Sequence, residues 1–187
     1  MPDYSAIDEV SRSLVNLLQS ALPGATVLAD DLQDPPQALA LTVFLFEAGE
    51  DPSARNRPRV RHPPSPDMRI AKPSMALLLR YLLTPWGGTE ATRHVLLGRA
   101  MQVLYDHPIL SGPQLVGSLA DERQALKVTL APLSIEDRTR VWHAVQRPYR
   151  LSVAYEVRVV YIDTTVSEAL RPVNERVLGI AVPSDAP

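Results

Sequence analysis

The 187-residue sequence contains no cysteine, which excludes disulfides, thiolate metal sites and a cysteine nucleophile. It has no apolar run of the roughly 18–20 residues that a helix needs to span a bilayer. The net charge of −2 argues against nonspecific binding of nucleic acid over the whole surface. The first ten residues are acidic and polar, so we expect no secretory signal. These absences predict a soluble chain of one domain with short extensions.

Lysine is almost missing as well. Lys72 and Lys127 are the only two, so 17 of the 19 cations are arginine, the residue better suited to interface ion pairs and stacking. Proline is abundant, with 18 residues, about double the usual share of ~5%. Composition therefore describes a proline-punctuated globular domain without assigning it a function.

Hydrophobic periodicity predicts helices alternating with strands. Residues 7–21 carry apolar side chains at helical spacing, with Ser5 as the cap, whereas 39–47 and 75–84 are continuous apolar runs typical of buried strands. The remaining elements are strands over 25–28, 126–130 and 149–162, a helix from Thr89 or Thr92 to about Asp106, and a helix over 134–145. This order predicts an α/β fold with a single mixed or antiparallel sheet and helices packed on it.

The strand over 149–162 has the clearest alternation. An apolar residue at every second position predicts a core face made by Leu151, Val153, Tyr155, Val157, Val159 and Tyr161. The opposite face carries Arg150, Glu156 and Arg158. Charges on that face are either solvated or paired, so Arg150 and Arg158 are candidates for pairs with another subunit.

Residues 49–73 differ from the rest of the chain. They contain six prolines and six cations against three acids, a local charge of +3 against −5 elsewhere. Such a segment cannot bury a core of its own, so we expect an extended arm without regular elements (48–74) inside a single domain (1–163), followed by a tail (164–187). Both a protein-docking arm and a solvated loop fit this composition. Nucleic acid is disfavoured because the segment has no aromatic residue. The candidate interface residues are Arg55, Arg57, Arg59, Arg61 and Arg69.

No catalytic motif is present, and the four histidines do not share a helical face. We therefore predict no enzyme activity, no metal site and no cofactor. The alternative is a hydrolase built from dispersed Asp and His residues, for which a cleft lined by His94, His107 and His143 would be the sign. Trp86 and Trp142 are typical of core packing, although Trp86, after Pro85 at a strand end, is also a candidate interface residue.

Several segments together resemble a known family. The most specific are YLLTPW (81–86), LLGRAMQVLYDHPIL (96–110) and the block from VTLAPLSIED to VWHAV (128–145), within a resemblance that spans about residues 6–163. They resemble the N-terminal domain of the cap, or tube and sheath terminator, protein of extracellular contractile injection systems, which are phage-tail-like particles.

The resemblance implies a phage tail-terminator-like fold and a structural role. The cap would form a hexameric ring on the distal end of the inner tube and contractile sheath and stop their polymerisation. Its partners would be further copies of itself, the sheath protein and the inner tube protein, with no nucleic acid and no membrane insertion. Assembly would take place in the bacterial cytoplasm, with release from the cell as a later stage. Because some family members carry a further C-terminal domain, we expect its task to be absent here or supplied by another subunit. A monomeric adaptor is the alternative.

Overall fold

The computed structural model describes residues 4–34, 36–54, 60–61, 69–71, 73–121, 125–165 and 167–169. The chain divides into two compact units, residues 1–57 with 74–163 and residues 58–73 with 164–187. In chain order the helices and strands are α1 (Ala6–Ala21), β1 (Thr26–Ala29), β2 (Ala40–Glu50), β3 (Val60–Arg61), β4 (Arg69–Ala71), β5 (Met75–Trp86), α2 (Glu90–Asp106), β6 (Ile109–Ser111), α3 (Ser118–Asp121), β7 (Ala125–Leu130), α4 (Ile135–Ala144), β8 (Val153–Ile162) and β9 (Ser167–Ala169).

The larger unit is built on a six-stranded sheet with the order β1-β2-β5-β8-β7-β6. β1 runs parallel to β2, and the other neighbouring pairs are antiparallel. The central strands have apolar residues on both faces and therefore need cover on both sides. The predicted mixed sheet with helices packed on it is confirmed.

Helices α1 and α2 pack on the first face of this sheet and enclose the main hydrophobic core. The helical spacing of Val10, Leu14 and Leu18 places them on one face of α1, and this face is buried. Thr89 is the cap of α2, because its side-chain oxygen accepts a hydrogen bond of 3.2 Å from the Thr92 N–H. Both helices occupy the segments that the periodicity predicts.

Ser5 occupies the predicted cap position of α1, but its side chain does not cap the helix. It precedes α1 without a side-chain bond to the helix backbone, and its hydroxyl instead donates to Glu9 Oε1 at 2.9 Å. Glu9 is only 5% exposed and also receives the backbone N–H groups of Ser118 and Leu119 at the start of α3. The carboxylate therefore joins α1 to α3.

The second face of the sheet is also covered. Trp142 of α4 is buried against Trp86 and Leu82 in a smaller apolar cluster. The two indole rings lie 6.2 Å apart in an edge-to-face arrangement at 62°, a favourable geometry for aromatic pairs. Ala154, on this face of β8, is buried in the same cluster. The side of β8 opposite the predicted core face is therefore covered by apolar packing at this end of the strand, in addition to the charges that the sequence places on it.

The predicted alternation along residues 149–162 fails at both ends. β8 begins at Val153, and Leu151 is 47% exposed. The pairing of β8 with β5 shifts between Leu79↔Val157 and Leu77↔Val160, so two residues of β8 oppose one of β5. This bulge reverses the faces: Val157 and Val160 are both fully buried, whereas Tyr161 is only partly buried.

The smaller unit contains a three-stranded antiparallel sheet in the order β3-β4-β9. Two of its strands fall in the segment that proline content led us to expect without regular elements, and the third falls in the predicted tail. That expectation is wrong for these residues, because no proline lies within the three strands and their backbone N–H groups remain available for pairing. Gly49 and Glu50 also belong to β2 rather than to the arm.

Candidate interaction surfaces

The predicted arm arginines fall mostly outside the described residues. Arg55, Arg57 and Arg59 lie in undescribed positions, and only the backbone of Arg61 and Arg69 is described, within β3 and β4. Their role at an interface stays a prediction. Three candidates remain whose side chains can be placed, namely Trp86, Arg150 and Arg158.

Trp86 belongs to the core, which corrects its assignment to a contact surface. The side chain is 3% exposed, and its Nε1–H donates to Thr42 Oγ1 at 2.8 Å. The guanidinium of Arg150 lies over the indole, with Cζ 4.6 Å from the ring centroid. Arg150 therefore covers the indole from the solvent side and makes a cation–π contact with it.

Arg158 is part of a chain of ion pairs that crosses three strands on the second face of the sheet. Arg80 of β5 contacts Glu47 of β2 at 2.8 Å and Glu156 of β8 at 3.0 Å. Arg158 pairs with the other oxygen of Glu156 at 2.9 Å and with Asp51 at 3.6 Å. The charges on this side of β8 are thus paired within the chain. The sequence had suggested two other arrangements, namely a solvated face and pairs with another subunit.

This network favours the charged forms of its members. Burial alone would raise the pKa of Glu156, but the hydrogen bonds and charges of Arg158 and Arg80 lower it below the ordinary 4.5. The hydrogen bond to Glu47 is the main reason that the pKa of Arg80 is raised, with Glu156 adding to it. The network connects β2, β5 and β8 with Asp51, the residue that follows β2.

The histidines do not form a shared site in the part of the chain that the structure describes. His94 lies 3.9 Å from Glu90 within α2, and His107 Nδ1 contacts the Val103 carbonyl at 2.9 Å. Among the described residues, no group of three or more His, Asp or Glu side chains is placed to hold a metal ion. Within those same ranges, no helix has both the length and the apolar character needed to cross a membrane.

The outer face of α2 is a surface that the periodicity did not reveal. Val95 is 70% exposed and Tyr105 84% exposed, although Leu96, Leu97 and Leu104 bury the opposite side of the helix. Beside Tyr105, an apolar groove of about 780 Å³ runs between the end of α2 and β7, and Leu130 at its edge is 54% exposed. The available signal was that apolar residues surround this helix instead of forming one stripe.

Comparison with known proteins shows both a family and a fold. The model of the family described as the Pvc16 N-terminal domain matches residues 9–176. No curated protein matches the sequence significantly. A solved PVC sheath/tube terminator of an extracellular contractile injection system, in its extended state, has a TM-score of 0.68 at 16% identity over 100% of this chain. The anti-feeding prophage cap, a tube-terminating cap, has a TM-score of 0.65 at 18% identity over 91% of this chain.

The chain spans 67% of the first of these proteins and 60% of the second, so the likeness covers a part of each. It confirms the terminator-like fold that the sequence segments suggest. Because the family match extends over residues 9–176 of 187, the chain belongs to the Pvc16 N-terminal domain family.

Proposed function

We propose that this chain is a structural cap that ends the inner tube and the contractile sheath of a phage-tail-like injection particle. The family match over residues 9–176 carries the proposal. The two solved structures with the same fold, a sheath/tube terminator and a tube-terminating cap, support it independently of the sequence motifs. The role is structural rather than catalytic.

The partners follow from this role. A terminator presents one surface to the last layer of the polymer and leaves no surface on which a further layer can add. A closed ring of identical subunits, joined by heterologous contacts, meets both requirements. We therefore propose a hexameric ring whose partners are the sheath protein and the inner tube protein, assembled in the bacterial cytoplasm.

Locating the protein on the particle tests the proposal. Particles carrying this chain with an N-terminal peptide tag would be labelled with antibody-coated gold and imaged. We expect label at one end of each particle, because a cap occupies a single site along the polymer. Label distributed along the sheath, or no label on intact particles, would contradict a cap.

The copy number separates the cap from the adaptor alternative. Quantifying this chain against the sheath protein in purified particles gives the number of copies per end. Six copies agree with the ring, whereas one copy indicates a monomeric adaptor bound at the same place.

A further inference from the structure

Tyr105 protrudes from the end of α2 with little cover from the chain's own described residues. It is 84% exposed, and the neighbouring Asp106 is exposed as well. Exposing an aromatic ring to water forgoes the large free energy that its burial would provide. Aromatic residues in this situation are typical anchors of protein interfaces.

An apolar pocket that suits an aromatic ring lies beside the first half of the same helix. It has a volume of about 210 Å³ and lies between α2 and the turn that follows α1, where Leu22, Ala25 and Leu39 provide an apolar lining. Arg99 stands among the lining residues. A cavity of about 150 Å³ is enough to hold benzene, so this pocket can take the ring of one tyrosine.

The two features cannot meet within one molecule. Val95, which lines the pocket, and Tyr105 are ten residues apart on one helix, and a rise of 1.5 Å per residue separates them by about 15 Å. The exposed Tyr105 side chain, here called the knob, and the pocket are nevertheless both present in every copy of the chain. A second copy can therefore supply the side chain that fills the pocket.

The charges agree with this pairing. Asp106 follows the knob, and Arg99 lines the pocket. Within the part of the chain that the structure describes, neither of them has an ion-pair partner. An insertion that buries Tyr105 would bring the Asp106 carboxylate towards the Arg99 guanidinium, and complementary charges of this kind fix the register of an interface.

We propose that Tyr105 of one copy inserts into the pocket beside Val95 and Arg99 of a second copy, with Asp106 paired to Arg99. The contact joins two different surfaces and is therefore heterologous, the type that forms rings when the rotation between subunits closes. It is a property of the chain's own surface and holds whether or not the protein ends a tube.

The absence of native cysteine allows the contact to be tested by site-specific cross-linking. One population would carry Gln102→Cys, one turn before the knob, and a second, tagged population would carry Gly24→Cys at the pocket, where a Cβ meets nothing within 4 Å. After mixing and addition of a short bismaleimide, we expect the heterodimer as the main cross-linked product. The control replaces Gly24→Cys with Thr139→Cys on the exposed surface of α4.

Two further variants make the result specific. Tyr105→Ala, at a position whose exposure permits normal folding, should weaken self-association at least about thirtyfold, as expected for an anchor residue. Arg99→Asp in one copy should lose the cross-link and recover it when the other copy carries Asp106→Arg. Equal cross-linking by the Gly24→Cys and Thr139→Cys populations, or no effect of Tyr105→Ala on the yield, would overturn the proposal.

Discussion

Glu9 offers the sharpest test of how the larger unit is held together. Its Oε1 accepts hydrogen bonds from the Ser5 hydroxyl at 2.9 Å and the Ser118 N–H at 3.1 Å. Its Oε2 accepts from the Ser118 hydroxyl at 2.8 Å and the Leu119 N–H at 3.3 Å. Gly117 has a φ of +63°, and a Cβ at this position would overlap the Glu9 carboxylate. The loop before α3 is therefore shaped around this one side chain.

Removing the carboxylate leaves buried donors without an acceptor. A hydrogen bond to a charged group is worth about 1.5–3 kcal/mol, and an unsatisfied buried donor costs about 1–3 kcal/mol. Glu9→Gln keeps one acceptor oxygen and should lower the free energy of unfolding by roughly 2 kcal/mol. Glu9→Ala strands two backbone N–H groups and should lower it by roughly 4 kcal/mol, a large part of the ~5–15 kcal/mol that stabilises a typical domain.

The effect should depend on pH in a defined direction. Burial would raise the pKa of Glu9, but the hydrogen bonds from Ser118, Ser5 and Leu119 outweigh it and lower the pKa below 4.5. A lowered pKa in the folded state stabilises the protein above the unfolded value of 4.5, and this stabilisation is lost as the pH falls through the folded value. The difference between the wild type and Glu9→Gln should therefore be constant near neutral pH and shrink at acidic pH.

Denaturant unfolding followed by circular dichroism, at neutral pH and in steps below pH 4.5, measures both quantities. Glu136→Gln is a matched control, because Glu136 is 72% exposed and pairs with Arg140 on the surface of α4, where such pairs contribute little. Equal stability of Glu9→Gln and Glu136→Gln at neutral pH would refute the reasoning. A gap that widens on acidification would refute the assigned pKa direction.

Three further predictions concern the sheet. Burial raises the pKa of Tyr81 from 10.0 to about 12 despite its hydrogen bond to Ser11. The free energy of unfolding should therefore be at its full value below pH 10 and fall as the pH approaches 12. Alkaline unfolding of Tyr81→Phe should lack this pH dependence. Val157→Asp buries an unpaired charge and should cost at least roughly 4 kcal/mol, seen as loss of folded protein on thermal melting. Arg158→Glu places a carboxylate beside Glu156 and Asp51, and it should lower the free energy of unfolding by roughly 2 kcal/mol while the monomer stays folded. Unchanged stability would show that the ion pairs contribute nothing.

The helices and central strands were predictable because their signals are local. The spacing of Val10, Leu14 and Leu18 records the buried side of α1 directly in the sequence, and the apolar run over 75–84 records a strand that is covered on both faces. The threonine cap of α2 also has a short-range signature. The family resemblance added the terminator-like fold, which periodicity alone leaves open.

Features that depend on distant residues were not predictable in this way. The reversal of faces in β8 comes from a bulge in its pairing with β5, and no residue within β8 marks that shift. Glu9 and Ser118 are 109 residues apart, so their bond has no pattern in the sequence. Glu156 and Arg158 suggested charges on a free face, whereas their partners Arg80 and Asp51 come from other parts of the fold.

The proposed role itself is tested most directly by deleting the gene and imaging the particles. Without a terminator, the inner tube and the sheath have no defined end, so we predict particles with open distal ends, a broad length distribution and sheaths that contract or fall apart spontaneously. Supplying the wild-type chain in trans should restore a capped end and a single length. Particles of normal length, with a normal end and a stable sheath, in the deletion strain would contradict the cap.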